Sequence, residues 1–250
     1  MTPRRKSPVE PESIQPHMCS VTIRHNILQH VPFFAMLSEA DIGGINQRFR
    51  DQGFEAGQPI YYAGDPATRL YVVATGKVKQ MRHTLSGQDV LLDILAEGDF
   101  FGSLSILGDT TYPDTTLAQT MVCALSIDAE GFHEILQTYL PVALEVLNIT
   151  GQRLRDAQES VRQLSAHSVE QRLAYTLIKL ADKLGEAQEL GLLIQMPLSR
   201  EDLAAMTGAT TETVSRIMSQ FQKDGWIESG RQWVAIRDSE ALKEVAAAGT

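Results

Sequence analysis

PLSREDLAAMTGATTETVSRIMSQFQKDG, residues 197–225, is the stretch that decides how this chain is read. Leu203, Ala204, Met206, Val214, Ile217, Met218 and Phe221 recur at helical spacing and predict a buried face shared by two short helices. Ser199, followed three residues later by Asp202, is a capping-box variant that opens the first helix. Gly208 supplies the left-handed residue that closes it. The polar face of the second helix carries Thr211, Glu212, Thr213, Ser215, Arg216, Gln220 and Lys223. Arginine donates to two acceptors of guanine, glutamate accepts from cytosine N4, and serine or threonine touches thymine or phosphate, so this face suits a major groove. The pattern predicts a helix-turn-helix, with Ser199, Arg200 and Arg231 added to that face as candidate DNA contacts. An ordinary helical hairpin is the plain alternative. The next residues in the chain argue against it: Trp226 to Ile236 reads as two short strands around a Gly-containing turn, which is a wing.

Composition sets the frame. A chain of 250 residues has room for two domains, and 43% hydrophobic content excludes a disordered profile. No apolar run nears the roughly 18 residues of a membrane span, so no membrane partner is expected. The N-terminus lacks the apolar segment of a secretory signal, and two cysteines make no disulfide framework, which predicts a reducing cytoplasm. A net charge of −9 argues for sequence-selective contact with double-stranded DNA and against non-specific coating.

Residues 1–20 hold four prolines and little periodicity and read as a mobile tail. Residues 38–50 read as a short helix. Residues 53–128 read as all-β, with apolar runs such as Leu70–Ala74, Val90–Leu95 and Thr120–Ile127 between Gly-centred turns. Residues 21–138 are therefore assigned to a β-roll sensor domain. The period changes over 129–166, where Leu140, Leu147, Leu154 and Val161 are spaced by sevens and Leu144, Gly151 and Gln158 form the offset series. This predicts a long amphipathic helix, residues 139–166, with a dimer seam; packing on its own roll is the alternative. Residues 167–250 form the DNA-binding domain, opening with an amphipathic helix from about Ser168 through Leu184 and a short strand near Leu192–Met196. The expected fold class is α+β: an N-terminal β-roll, a long dimerisation helix and a C-terminal winged helix-turn-helix.

Together with Tyr62-Ala63-Gly64-Asp65, Leu70 through Lys79 and Gly98-Asp99-Phe100-Phe101-Gly102, this order of parts resembles the CRP/FNR superfamily of bacterial transcription regulators, from about Phe33 to Ile236. The resemblance implies a jelly roll like that of cyclic-nucleotide-binding domains, a homodimer, and an activator that contacts RNA polymerase. Glu212-Thr213-Val214-Ser215-Arg216 resembles the E-x-x-S-R signature of the FNR-type branch. That implies an inverted repeat of TTGAT-type half-sites, with Glu212, Ser215 and Arg216 as readers. A surface pair between Glu212 and Arg216 is the alternative.

The sensor half departs from the family pattern. Cyclic-AMP-binding members carry a Glu just after the Phe-Gly and an Arg-Ser pair about a dozen residues on; here Ser103 and Asp114-Thr115 stand in those places. From His83 through Gln152 there is no Lys or Arg, against ten acids, so the roll is expected to exclude anions, cyclic AMP among them. The effector is left open, with Phe101, Gly102, Ser103, Leu104, Asp114, Thr115 and Thr116 as its candidate pocket. The same acidity weighs against haem and 2-oxoglutarate. Of the cluster cysteines that the FNR-type branch implies, Cys19 and Cys123 remain. The expectation is no metal, with Cys123 a small buried hydrophobe. The alternatives are a mixed site of Cys19, His25, His30 and Cys123 holding an iron–sulfur cluster or zinc, a haem centre, or a Cys19–Cys123 redox pair. An enzyme built on a cupin-like roll would need clustered His and carboxylate; between residues 53 and 128 the sole histidine is His83, so no enzyme is expected. The implied mechanism is a signal that changes how two long helices pack, with Gly151 and Gln158 as adjustment points.

Overall fold

The computed structural model describes residues 21–84, 89–103, 108, 110–189, 191–196, 198–230 and 233–248. The expected tail, Cys19, Leu104 and Arg231 lie outside them. Two compact units divide between Ala157 and Gln158.

The first unit opens with α1 (Val21–His30), a 3-10 turn (Pro32–Phe34) and α2 (Glu39–Asn46). Ser38 caps α2, its Oγ accepting the Asp41 N–H. Eight strands follow: β1 (Arg50–Phe54), β2 (Pro59–Tyr61), β3 (Arg69–Thr75), β4 (Val78–His83), β5 (Asp89–Leu95), β6 (Phe100–Gly102), β7 (Thr115–Ala118) and β8 (Val122–Asp128). They pair antiparallel in two four-stranded sheets, ordered β1-β8-β3-β6 and β2-β7-β4-β5. Then come α3 (Ala129–Thr138) and α4 (Leu140–Ala166).

Strands β3 and β8 are buried on both faces, which is why they read as unbroken apolar runs. Their alternate side chains serve two cores. Leu70, Val72, Ala74, Cys123, Leu125 and Ile127 pack with Leu28, Phe34, Ile42, Phe132 and Val142 from the helices. Tyr71, Val73, Val122 and Ala124 point into the roll, against Tyr61, Val78, Leu95 and Phe101.

The second unit contains α5 (Val169–Leu184), β9 (Gly185–Gln188), β10 (Gly191–Gln195), α6 (Arg200–Thr207), α7 (Thr211–Lys223), β11 (Ile227–Gly230), β12 (Trp233–Ile236) and α8 (Ser239–Ala247). Its sheet runs β11-β12-β10-β9. The architecture is the expected α+β arrangement of β-roll, long helix and winged helix-turn-helix.

Several boundaries differ from expectation. The helix expected over 38–50 stops at Asn46, because Arg50 already pairs with Ser126 in the sheet. The helical stretch 129–166 is two helices: Tyr139 leaves the helical region at φ −120°, ψ 84°, just before Leu140-Pro141, and proline restricts the residue before it while suiting a helix start. Helix α1 was not anticipated. Leu28 and Ile27 pack it on the helix-side core, and a polar clamp adds to them: Arg24 donates to the Asn46 side chain at 3.1 Å and to the Asn46 and Phe49 carbonyls at 2.9 and 2.7 Å, and pairs with Asp51 at 2.9 Å. The clamp joins residues far apart in the chain, and the short apolar pair Ile27-Leu28 is too brief to read as a helical period.

Gly76 joins β3 to β4 at φ +90°, and a Cβ there would overlap the Met121 carbonyl oxygen. Gly76→Ala should therefore destabilise the roll by about 1–3 kcal/mol, measured by urea denaturation. An unchanged midpoint would show that the turn tolerates a side chain.

Candidate DNA interface, dimer face and sensor pocket

Helix α6 begins with the expected reciprocal cap: Ser199 Oγ accepts the Asp202 N–H at 3.0 Å, and Asp202 accepts the Ser199 N–H at 2.8 Å. It ends at Gly208, left-handed at φ 59°. Thr210 caps α7, accepting the Thr213 N–H at 3.2 Å. Val214, Ile217, Met218 and Phe221 are buried beneath α7, and Leu203 and Ala204 beneath α6. Met206, expected in that core, is half-buried; the buried position is Thr207, whose Oγ1 donates back to the Leu203 carbonyl at 2.7 Å.

Thr211, Glu212, Arg216, Gln220 and Lys223 are exposed on one face of α7, and Thr213 and Ser215 are half-exposed beside them. Glu212 and Arg216 form no ion pair with each other. Gln220 donates to Asp224 at 2.8 Å, and Thr213 Oγ1 lies 2.9 Å from Thr210 Oγ1, so both side chains have local partners. Arg200 does too. Its Nη2 donates to Ser229 Oγ at 2.9 Å, tying the start of α6 to β11, and burial holds its pKa below the usual arginine value.

Helix α4 has two apolar faces. Val142 is buried, and Val146 and Ile149 pack against the helix-side core of the roll. The other face carries Leu140, Leu144, Leu147, Leu154 and Val161, each 59–68% exposed. Gly151 is half-exposed and Gln158 exposed in the same series.

The interior of the roll is filled by its own side chains. Tyr61 stacks on Tyr112 with ring centroids 3.8 Å apart, and Tyr71 stacks on Phe101 at 5.2 Å. Asp114, 5% exposed, is held by neutral donors: Tyr61 Oη at 3.1 Å and Thr116 Oγ1 at 3.4 Å to one oxygen, Gln80 Nε2 at 2.9 Å to the other. Thr115 is buried and its Oγ1 accepts the Ala63 N–H at 3.1 Å. Ser103 is buried. Gly102 sits at φ +90°, where a Cβ would come within 2.8 Å of the Arg69 carbonyl. Of the candidate pocket, then, Phe101, Asp114 and Thr116 meet inside the roll. Tyr61, Gln80 and Tyr112 complete that cluster and were not anticipated.

The absence of cations needs correction. The run from His83 through Gln152 lacks Lys and Arg, but the fold brings in the two arginines that flank it. Arg82 Nε donates to the Pro113 carbonyl at 3.1 Å, next to Asp114. Arg153 Nη2 donates to the Phe100 carbonyl at 2.7 Å, with its guanidinium 3.8 Å above the Phe100 ring. Their position at the two ends of the cation-free run was the available signal.

The metal alternative gains no cluster: among the described residues no three His, Cys, Asp or Glu side chains gather as ligands. His25 and His30 lie on α1, where His25 Nε2 faces Gln29 at 3.3 Å and His30 Nδ1 faces the Asn26 carbonyl at 2.7 Å. Cys123 is buried in β8 and its sulfur is disulfide-bonded, which corrects its reading as a free core thiol.

Residues 52–139 match the model of the cyclic nucleotide-binding domain, and residues 171–245 match that of the Crp-like helix-turn-helix domain. A CRP-like cAMP-activated global transcriptional regulator of Mycobacterium tuberculosis is 30% identical over 218 residues, covering 86% of this chain and 96% of the relative. The cyclic AMP receptor protein of Thermus thermophilus is 31% identical, with 86% and 96% covered. Among solved structures, FixK2 of Bradyrhizobium japonicum matches with a TM-score of 0.73 at 23% identity, over 81% of this chain and 99% of that one, a likeness of fold.

Burial, and then the neighbouring Asp114 charge, push the Tyr61 hydroxyl far above its usual pKa; burial, then Tyr112, pushes Tyr71 up to about 12. A raised tyrosine pKa contributes stability that is whole below the unfolded value of about 10 and is lost as pH climbs through the folded value. Alkaline titration should therefore show tyrosinate absorbance rising together with loss of roll circular dichroism, between about pH 10 and 12 for Tyr71. Full ionisation near pH 10 with the roll intact would refute this filling.

Proposed function

Because the chain belongs to the CRP/FNR family of transcription regulators, we propose that it acts as a cytoplasmic homodimer that reads an inverted repeat of TTGAT-type half-sites. The carrying observation is the exposed heptad stripe of α4 in a chain that also presents the exposed polar face of α7. Fully burying one leucine is worth about 1.5–3 kcal/mol, so a second copy of α4 is a strong partner for that stripe. Two recognition helices about 34 Å apart then meet two half-sites one turn apart. Glu212, Ser215 and Arg216 read the bases as the FNR-type signature implies. Thr211, Thr213, Gln220, Lys223, Ser199, Arg200 and Arg231 supply the supporting contacts. The protein is not an enzyme; it acts on transcription, with RNA polymerase as its partner and activation as its effect.

Two relatives are named for cyclic AMP, yet the residues here support a roll that does not respond to it. Asp114, a buried carboxylate, and the Tyr61–Tyr112 stack occupy the interior, and a cyclic phosphate would meet the negative group without a cation bonded to it. The bonded Cys123 sulfur supports a second reading of the signal, a thiol–disulfide change, in place of a metal, iron–sulfur or haem centre.

Leu147→Glu should convert the dimer to monomer in sedimentation and abolish tight binding to a TTGAT-N4-ATCAA duplex. Arg216→Ala should leave the dimer intact, weaken that duplex by about 1–3 kcal/mol and relax selection at one base pair. A dimer that survives Leu147→Glu, or a footprint unmoved by Arg216→Ala, refutes the corresponding half of the proposal. For the signal, duplex affinity should differ between dithiothreitol and diamide, and Cys123→Ser should erase the difference. Redox dependence that persists in Cys123→Ser would count against the thiol reading.

A further inference from the structure

Helix α4 ends at Ala166 and α5 begins at Val169, so His167 and Ser168 are the whole connection between them. Ser168 opens α5 with a reciprocal cap: its Oγ accepts the Gln171 N–H at 3.3 Å, and Gln171 Oε1 accepts the Ser168 N–H at 2.7 Å. Arg172 follows in the first turn of α5 and spends its guanidinium on two different segments. Nη1 donates to the His167 carbonyl at 2.8 Å, and Nε donates to the Thr207 carbonyl at 2.8 Å.

Both carbonyls belong to helix ends. His167 lies one residue past α4, and Thr207 is the last residue of α6. Such carbonyls lack partners within their helices and carry the negative end of the helix dipole, so one cation satisfies both at once. A second contact spans the same gap. A methyl placed at Gly208 would sit 3.4 Å from Leu164 Cδ2, so the turn between α6 and α7 lies against the last turns of α4. His167 is itself buried, with Nε2 3.3 Å from Arg162 Nη1, so the connection does not swing freely in water.

We infer that Arg172 is a positioning residue: it fixes the direction in which the recognition helix leaves the dimerisation helix, and so sets the half-site spacing that a dimer accepts. This rests on the dimeric DNA-binding reading above. The chemistry is particular to arginine, whose planar fork reaches two carbonyls at a set angle, where lysine offers a single point charge. The Thr207 carbonyl lies three residues before Thr210, the cap of α7, so a shift there is passed directly to the recognition helix. A purely local role in stabilising α5 would weaken every duplex alike.

The test compares wild type, Arg172→Ala and Arg172→Lys on three ligands: a single half-site, the four-base-pair-spaced palindrome, and palindromes with the spacer one base pair shorter and one longer. Losing charge-assisted bonds of this kind corresponds to about a tenfold change in an equilibrium constant. Both variants should bind the preferred palindrome about tenfold more weakly, keep wild-type half-site affinity and dimerisation, and lose most of the discrimination between spacers. Spacer discrimination equal to wild type in a folded variant overturns the inference. An equal loss on the half-site and on every palindrome also overturns it, as a merely structural effect. If Arg172→Ala does not fold, Arg172→Lys carries the test, and Leu164→Ala, at the second contact, gives an independent one with the same expected loss of discrimination. A wild-type protein that fails to dimerise or to bind the palindrome would instead sink the dimeric reading itself.

Discussion

Val142, Val146 and Ile149 turn one side of α4 toward the roll, while Leu140, Leu144, Leu147, Leu154 and Val161 turn the other toward water. A helix of 27 residues with apolar stripes on two sides has more hydrophobic surface than one chain covers. Within the first unit the roll anchors the early turns of α4, and within the second the turn after α6 lies against its last turns.

The roll shows how a scaffold matched by a cyclic nucleotide-binding model can be occupied from within. The pair β3 and β8 divides two cores, and the inner one is closed by four stacked aromatic rings and a carboxylate satisfied by neutral donors. A buried acid is tolerated when its oxygens are all hydrogen-bonded, and Tyr61, Thr116 and Gln80 do that here. The two nearby arginines face backbone carbonyls of Pro113 and Phe100. Charge counted along the chain therefore misjudged the local field, although the carboxylate remained where the residue order placed it.

How much of the fold is legible in the sequence depends on the range of each signal. The cap at Ser199, the left-handed Gly208 and the buried face of α7 are interactions over three or four residues and are visible as patterns; the caps Ser168 and Thr210 are equally local, yet they are not read as caps from the sequence. The buried strands β3 and β8 were legible because burial on both faces leaves a continuous apolar run. Helix α1, strand β9 and helix α8 were not. Helix α1 is held by two apolar side chains, Ile27 and Leu28, and by one arginine reaching Asn46, Phe49 and Asp51, more than twenty residues away in the chain. Strand β9 exposes nearly all its length and exists because β10 offers it an edge.

The sequence by itself determined the parts that depend on periodicity and capping: a roll of short strands, a heptad-bearing helix, and two helices with a wing. Only the tertiary structure decided which side chains meet across distance. It brought Arg82 and Arg153 to the two ends of a cation-free run, set Tyr61 and Gln80 on Asp114, and aimed one guanidinium at the ends of both α4 and α6. The physical reason is that a helix cap or an apolar stripe is a local interaction written in neighbouring residues. A hydrogen bond between distant segments depends on chain geometry, and no spacing in the sequence encodes it.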